Sequence, residues 1–114
     1  MRTRWVRICL LVISAVGSGV PAYAADPSPE VLLSIENHRF SPEELRVKAG
    51  APFMLVITNK DRVPQEFEMP DFRIEKEIPA GRTRRLKMPA LKPGTYGFLG
   101  EYQETTVKGR IVAE

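Results

Sequence analysis

The sequence predicts an all-β fold, an antiparallel two-sheet sandwich of about seven or eight short strands. Two observations carry the prediction. From Val31 onward, short runs rich in β-branched and aromatic residues place apolar side chains at every second position, the spacing that puts them on one face of a strand. Clusters of Gly, Pro, Asn and Asp separate the runs at Ala49-Gly50, Asn59-Lys60-Asp61, Pro79-Ala80-Gly81 and Lys92-Pro93-Gly94, and these residues supply turn conformations. No long stretch keeps helical spacing, and no internal repeat is detectable.

The first element lies outside the sandwich. "MRTRWVR" is basic, "ICLLVISAVGSGV" is apolar, and Ala22-Tyr23-Ala24 fits the small-x-small pattern of a signal peptidase site. Residues 1–24 are therefore expected to be a signal peptide cleaved after Ala24, with an uncleaved anchor as the competing reading. The apolar run is short and interrupted by Gly17 and Gly19, which disfavours a permanent bilayer span. The mature protein is expected to be periplasmic and not membrane-spanning. Residues 25–30, "ADPSPE", read as a flexible leader, and residues 31–114 as the folded domain.

Within the domain, "VLLSIENHRF" sets Val31, Leu33 and Ile35 on one face, and "ELRVKAG" follows a turn at Ser41-Pro42. "PFMLVITN" is almost wholly apolar, as a strand covered on both faces would be. "QEFEM", "RIEKEI", "TRRLKM", "GTYGFLG" and "KGRIVAE" are the remaining strand candidates. "SPEEL" is suited to one helical turn, because Ser41 can cap and Pro42 fits the first helical position. The predicted core is Leu33, Ile35, Phe40, Leu45, Val47, Phe53, Leu55, Ile57, Phe67, Leu86, Tyr96, Phe98 and Ile111.

Charge and cysteine content exclude several functions. The chain has 17 basic and 14 acidic residues, and removal of Arg2, Arg4 and Arg7 with the signal brings the two into balance. The basic precursor is thus no argument for nucleic acid, which would need a local patch; Arg82, Arg84 and Arg85 are the place for one, although alternating charges on a wet strand explain them as well. The one cysteine, Cys9, falls in the signal. The mature domain then has no disulfide, thiolate zinc site, iron–sulfur cluster or Cys nucleophile. Blue copper, whose trigonal site needs a Cys sulfur, is excluded with them.

No hydrolase pattern is present: there is one His, no Gly-x-Ser-x-Gly, and no phosphate-cradling glycine loop. What remains is a set of metal donors. Glu66 and Glu68 are two apart on a predicted strand and share a face, with Phe67 and Met69 on the other. Pro70 favours a bend that could re-aim Met69. His38 supplies an imidazole, a good donor for copper or iron. Glu101, Gln103 and Glu104 follow the "GTYGFLG" strand, with Met88 as a second sulfur. Each has an ordinary alternative: a wet strand face for the glutamates, a surface position for His38, core filling for the methionines.

Taken together, "NHRFSPEELRVKAGAPFMLVITNKD", "PQEFEM", "EKEIPAG" and "LKPGTYGFLGEYQETTVKGRIVAE" resemble a small periplasmic cupredoxin of the EfeO type, similar to accessory proteins of bacterial Ftr-type iron permeases. The match runs from Glu36 to Glu114. Its most specific parts are F-x-P-x-x-L-x-V-x-A-G from Phe40 to Gly50, the Glu-Phe-Glu pair, and L-K-P-G-T-Y from Leu91 to Tyr96. The resemblance implies a cupredoxin-like sandwich in which Glu66 stands where cupredoxins carry a copper-binding His after the strand-closing asparagine, here Asn59. A carboxylate there favours iron(III) or non-blue copper(II). Such relatives commonly place a His where this chain has Gln103. The implied function is a metal-binding accessory for periplasmic iron uptake, with copper-assisted oxidation of iron and delivery to a membrane iron permease as its fuller form. The expected metal ligands are Glu66, Glu68, Met69, Glu101 and His38, for a copper or iron ion. The alternative is a metal-free interaction module whose sandwich edges dock a permease or another periplasmic partner.

Overall fold

The computed structural model describes Gly17 and residues 28–114; the rest of the predicted signal peptide and residues 25–27 of the leader lie outside the described residues. The described chain runs through β1 (Glu30–Glu36), β2 (Arg39–Ser41), β3 (Glu44–Val47), β4 (Phe53–Asn59), β5 (Gln65–Met69), a 3-10 turn at Pro70–Phe72, β6 (Ile74–Ile78), β7 (Thr83–Met88), β8 (Gly94–Tyr102) and β9 (Thr105–Ala113). Two sheets form, with strand orders β2-β1-β4-β7 and β3-β9-β8-β5-β6. None of the described helical segments is long and apolar enough to cross a membrane.

The all-β sandwich is as the sequence predicts, with two differences in strand arrangement. "VLLSIENHRF" is a hairpin, because Asn37 and His38 both take positive φ, 52° and 59°. Two such residues make the tight turn whose twist matches paired strands, and Glu36 pairs with Arg39 across it. The sheets are also mixed, since β1 runs parallel to β4 and β3 parallel to β9. After the β1–β2 hairpin the chain crosses to the second sheet as β3, then returns beside β1 in the direction of β1. Local sequence pattern carries no record of that crossing.

The helical turn expected at "SPEEL" does not form. Ser41 ends β2 and Glu44 begins β3, so Pro42 and Glu43 make the crossover between sheets. Phe40 and Leu45 on either side are both buried, and coiling the segment would withdraw them from the core.

That core fills the space between the sheets. Phe40, Phe67 and Phe98 meet with ring centroids 4.9–6.2 Å apart, within the range of favourable offset and edge contacts. Leu33, Ile35, Phe53, Leu55, Ile57 and Ile111 surround them, while Leu86 and Tyr96, expected inside, are partly buried at the margin. Met69, Ile78, Met88 and Leu91 complete the core. Two glycines admit close contacts. A Cβ on Gly109 would sit 2.9 Å from the Glu43 carbonyl and against the Phe98 ring, and one on Gly100 would sit 2.6 Å from the Glu66 carbonyl.

Asn59, at the end of β4, is fully buried. Its amide donates to the carbonyls of Val63 at 2.8 Å and Ile78 at 2.9 Å, and its Oδ1 accepts the N–H of Asp61 at 2.9 Å. One side chain thus ties the loop that leads into β5 to the end of β6. A buried amide left without those partners would cost about 1–3 kcal/mol, which favours the loop shape that supplies them.

Candidate metal centre

Strand alternation decides which donors meet. On β5, Gln65, Phe67 and Met69 face inward while Glu66 and Glu68 face the outer surface of the second sheet. The antiparallel partner β6 sets Glu77 opposite Glu66 and Glu75 opposite Glu68. Carboxylate oxygens of Glu66, Glu68 and Glu75 consequently lie within 4.8 Å of one another. On the other side β8 pairs Leu99 with Glu68, and the same register carries Glu101, two residues on, beside Glu66.

The electrostatics follow from this crowding. Partial burial pushes the Glu68 carboxyl above its ordinary range, and the negative charges of Glu101, Glu75 and Glu66 push it further the same way. A proton or a cation relieves that repulsion.

Met69 does not join the group. The strand stays regular through Met69, which pairs with Ile74, and the side chain is fully buried in the core. Pro70 bends the chain only after the thioether has been committed to the inner face. Met88, the other expected sulfur, is also a core residue. Glu101 belongs to β8 itself rather than to a loop, and Gln103 sits exposed in the turn that follows, at φ 54°.

His38 occupies a different corner. Its ring stacks on Tyr102 with centroids 3.9 Å apart and planes 18° from parallel. The Gln65 amide nitrogen lies 2.7 Å from His38 Nδ1 and 2.9 Å from an Asp61 oxygen, so it donates to both and Nδ1 accepts. Asp61 also accepts the backbone N–H groups of Asn37 at 2.7 Å and His38 at 2.9 Å. Burial opposes the charge on Asp61, but those two backbone donors, the Gln65 amide and the neighbouring imidazole outweigh it and hold the carboxyl below its ordinary range. His38 and Glu66 do share the lining of one small cavity of about 10 Å³, with Gln65 and Tyr102, room for about one water molecule.

Two features escape a reading of sequence. Glu75 completes the carboxylate group, and only the β5–β6 register shows it; the Glu-x-Glu pattern in both "EFE" and "EKE" is the signal that could have paired them. The Asn59–Asp61–Gln65–His38 network joins residues up to 27 positions apart, and no spacing rule announces it.

The donor set can be tested against the metals expected of it. A blue copper site does not fit: the described residues contain no cysteine, His38 Nδ1 is engaged, and Met69 faces the core. Three carboxylates on one surface fit a hard, oxygen-preferring cation.

Comparison with known proteins agrees on the fold. A family model described as "Cupredoxin-like domain" matches residues 7–113. An uncharacterized protein of Rickettsia prowazekii (strain Madrid E) is 28% identical over 111 residues, covering 94% of this chain and 89% of that one. A copper binding protein solved by NMR in the apo form is similar with a TM-score of 0.62 and 20% identity, over 75% of this chain and 86% of the other. Auracyanin A, a blue copper protein from Chloroflexus aurantiacus, aligns with a TM-score of 0.61 and 14% identity, over 75% of this chain and 98% of its own.

Proposed function

Because the chain belongs to the cupredoxin-like domain family, we propose that it is an exported metal-binding accessory protein for iron uptake. On this proposal Glu66, Glu68 and Glu75 hold iron as cargo, Glu101 adds to their negative field, and a membrane iron permease receives it. One observation carries the proposal: the three carboxylates converge within 4.8 Å on one sheet face. A cation with metal–oxygen bonds of about 2.1 Å joins oxygens up to about 4.2 Å apart, so small side-chain rotations bring all three onto one ion. The raised Glu68 carboxyl supports it, since it marks negative charge that lacks a counter-charge.

Copper, which the named structural neighbours bind, is the less suited cargo at this group. Its soft and imidazole donors are elsewhere: Met69 in the core, and His38 with Nδ1 already hydrogen-bonded. Copper-assisted oxidation is therefore not part of the proposal.

A metal-free interaction module is the second reading, favoured by the exposure of Glu75 and Glu101 to solvent. Calorimetric titration of the purified protein with Fe(III), Fe(II) and Cu(II) under controlled oxygen separates the two. Saturable iron binding that the Glu66→Ala/Glu68→Ala variant loses is the expected result. Equal heats from the protein and that variant would leave the interaction module standing.

A further inference from the structure

Among the described residues, β7 is the outermost strand of its sheet, paired with β4 on one side and with no strand on the other. The opposite margin of that sheet, β2, is only three residues long, so β7 with its six residues is the longer open edge. The phase of its hydrogen bonds is fixed by one contact. Asn59 N–H donates to the Arg82 carbonyl at 2.9 Å, and bonded and non-bonded pairs alternate along an antiparallel ladder. Arg84, Leu86 and Met88 therefore bond to β4, while Thr83, Arg85 and Lys87 direct N–H and C=O outward. Among the described residues, no backbone bond from a loop or turn ends on those three.

The edge is also strongly basic, with Arg82, Arg84, Arg85 and Lys87 in six positions. Arg85 pairs with Glu30; the other three make no ion pair among the described residues. Like charges set opposite each other oppose strand pairing, so this margin repels a second copy of itself, as protected edges do. The same charges favour a strand of opposite sign.

We infer that the β7 margin docks an extended acidic segment of a partner protein, which adds a strand beside Thr83–Met88 and sets carboxylates against Arg84, Arg85 and Lys87. Backbone groups supply the pairing and the charges select the partner. The metal group plays no part in it.

The test titrates the isotope-labelled protein with ten-residue peptides of Thr, Val and Glu whose glutamates fall on both faces of an extended strand, and with matched Lys and Gln series. The glutamate series should shift and protect the amides of Thr83, Arg85 and Lys87, and bind more tightly than either control. Each opposed charge pair is worth about 0.2–1 kcal/mol, so Arg84→Glu/Lys87→Glu should weaken binding about tenfold. Thr83→Pro, which removes one outward N–H and no bond to β4, should weaken it as well. If that variant fails to fold, the charge reversal decides, because it changes only exposed side chains. Glu66→Ala/Glu68→Ala should bind the peptide normally, which keeps this result separate from iron binding. Equal binding of the Glu and Lys series, shifts centred on β2 or β6, no measurable binding, or self-association through the β7 amides would each overturn the assignment.

Discussion

Glu68 and Glu75 stand directly opposite each other on β5 and β6, and with Glu66 their carboxylate oxygens lie within 4.8 Å of one another. Like charges in that arrangement weaken a strand pair. The second sheet keeps them on one outer surface because both strands alternate with the same phase, and Phe67 and Ile78 need the inner face.

Removing one of those charges should stabilise the fold at neutral pH. The folded-state carboxyl of Glu68 lies above its ordinary value of 4.5, so the folded protein holds that proton more readily than the unfolded chain does. Its contribution to stability is therefore fullest below 4.5 and is lost as pH rises through the raised folded value. Glu68→Gln should raise the neutral-pH melting temperature and flatten that part of the stability profile. Thermal melts across the acidic to neutral range check it, and an unchanged or lower melting temperature at neutral pH would show that the repulsion is not felt.

Glu75→Gln tests the residue that only the register reveals. Removing outer partners of metal ligands already costs about 10–100-fold in affinity, so losing a direct oxygen ligand should weaken iron binding at least tenfold. Glu77→Gln removes an equal charge from the same strand but outside the trio. A similar loss from both variants would mean that the effect is general electrostatics rather than coordination.

Asp61 is predicted to matter for stability in the opposite pH direction. Its carboxylate accepts two backbone N–H groups and the Gln65 amide, and its folded-state value is below the ordinary 3.8. That stabilisation is present above 3.8 and is lost as pH falls through the lowered folded value. Asp61→Ala should cost about 1.5–3 kcal/mol, the range for hydrogen bonds to a charged group, and should loosen the Asn37-His38 turn. Chemical denaturation gives the size, and loss of the His38–Tyr102 ring-current shift reports the turn.

Much of the fold and two of the three clustered carboxylates, Glu66 and Glu68, were legible in the sequence, and the division follows the range of each interaction. Alternation within "QEFEM" placed Glu66 and Glu68 together and also warned that Met69 would face away; the appeal to Pro70 failed because strand pairing with Ile74 outlasts the proline's effect. Turn residues marked most strand ends, yet Asn37-His38 lacks the glycine that usually announces a tight hairpin, and its positive φ values are held from outside by Asp61. Parallel pairing of β1 with β4, and the meeting of Glu75 with Glu68, depend on how distant segments stack. No local pattern encodes either.

Met69→Leu separates core packing from ligation. The side chain is fully buried with Phe67 and Ile78, and a volume-conserving exchange in such a place costs less than about 1.5 kcal/mol. The variant should therefore fold, lose little stability, and bind iron with unchanged affinity. A large fall in affinity without a change in melting temperature would return the thioether to the metal site.

Gly100→Ala links the core to the carboxylates. The added Cβ would stand 2.6 Å from the Glu66 carbonyl and 3.1 Å from the Phe40 ring, so the β5 and β8 backbones must part, one or the other moving, and Phe40 must also give slightly. Overpacking of this kind costs about 1–3 kcal/mol. Because the obstructed atom belongs to the backbone of Glu66, displacement of β5 also shifts Glu66 relative to Glu75 across the ladder. Lower stability together with weaker iron binding is the expected result, measured by denaturation and by calorimetry on the folded fraction. Lower stability with unchanged affinity would mean that β8 moves instead of β5 and the carboxylate group keeps its shape.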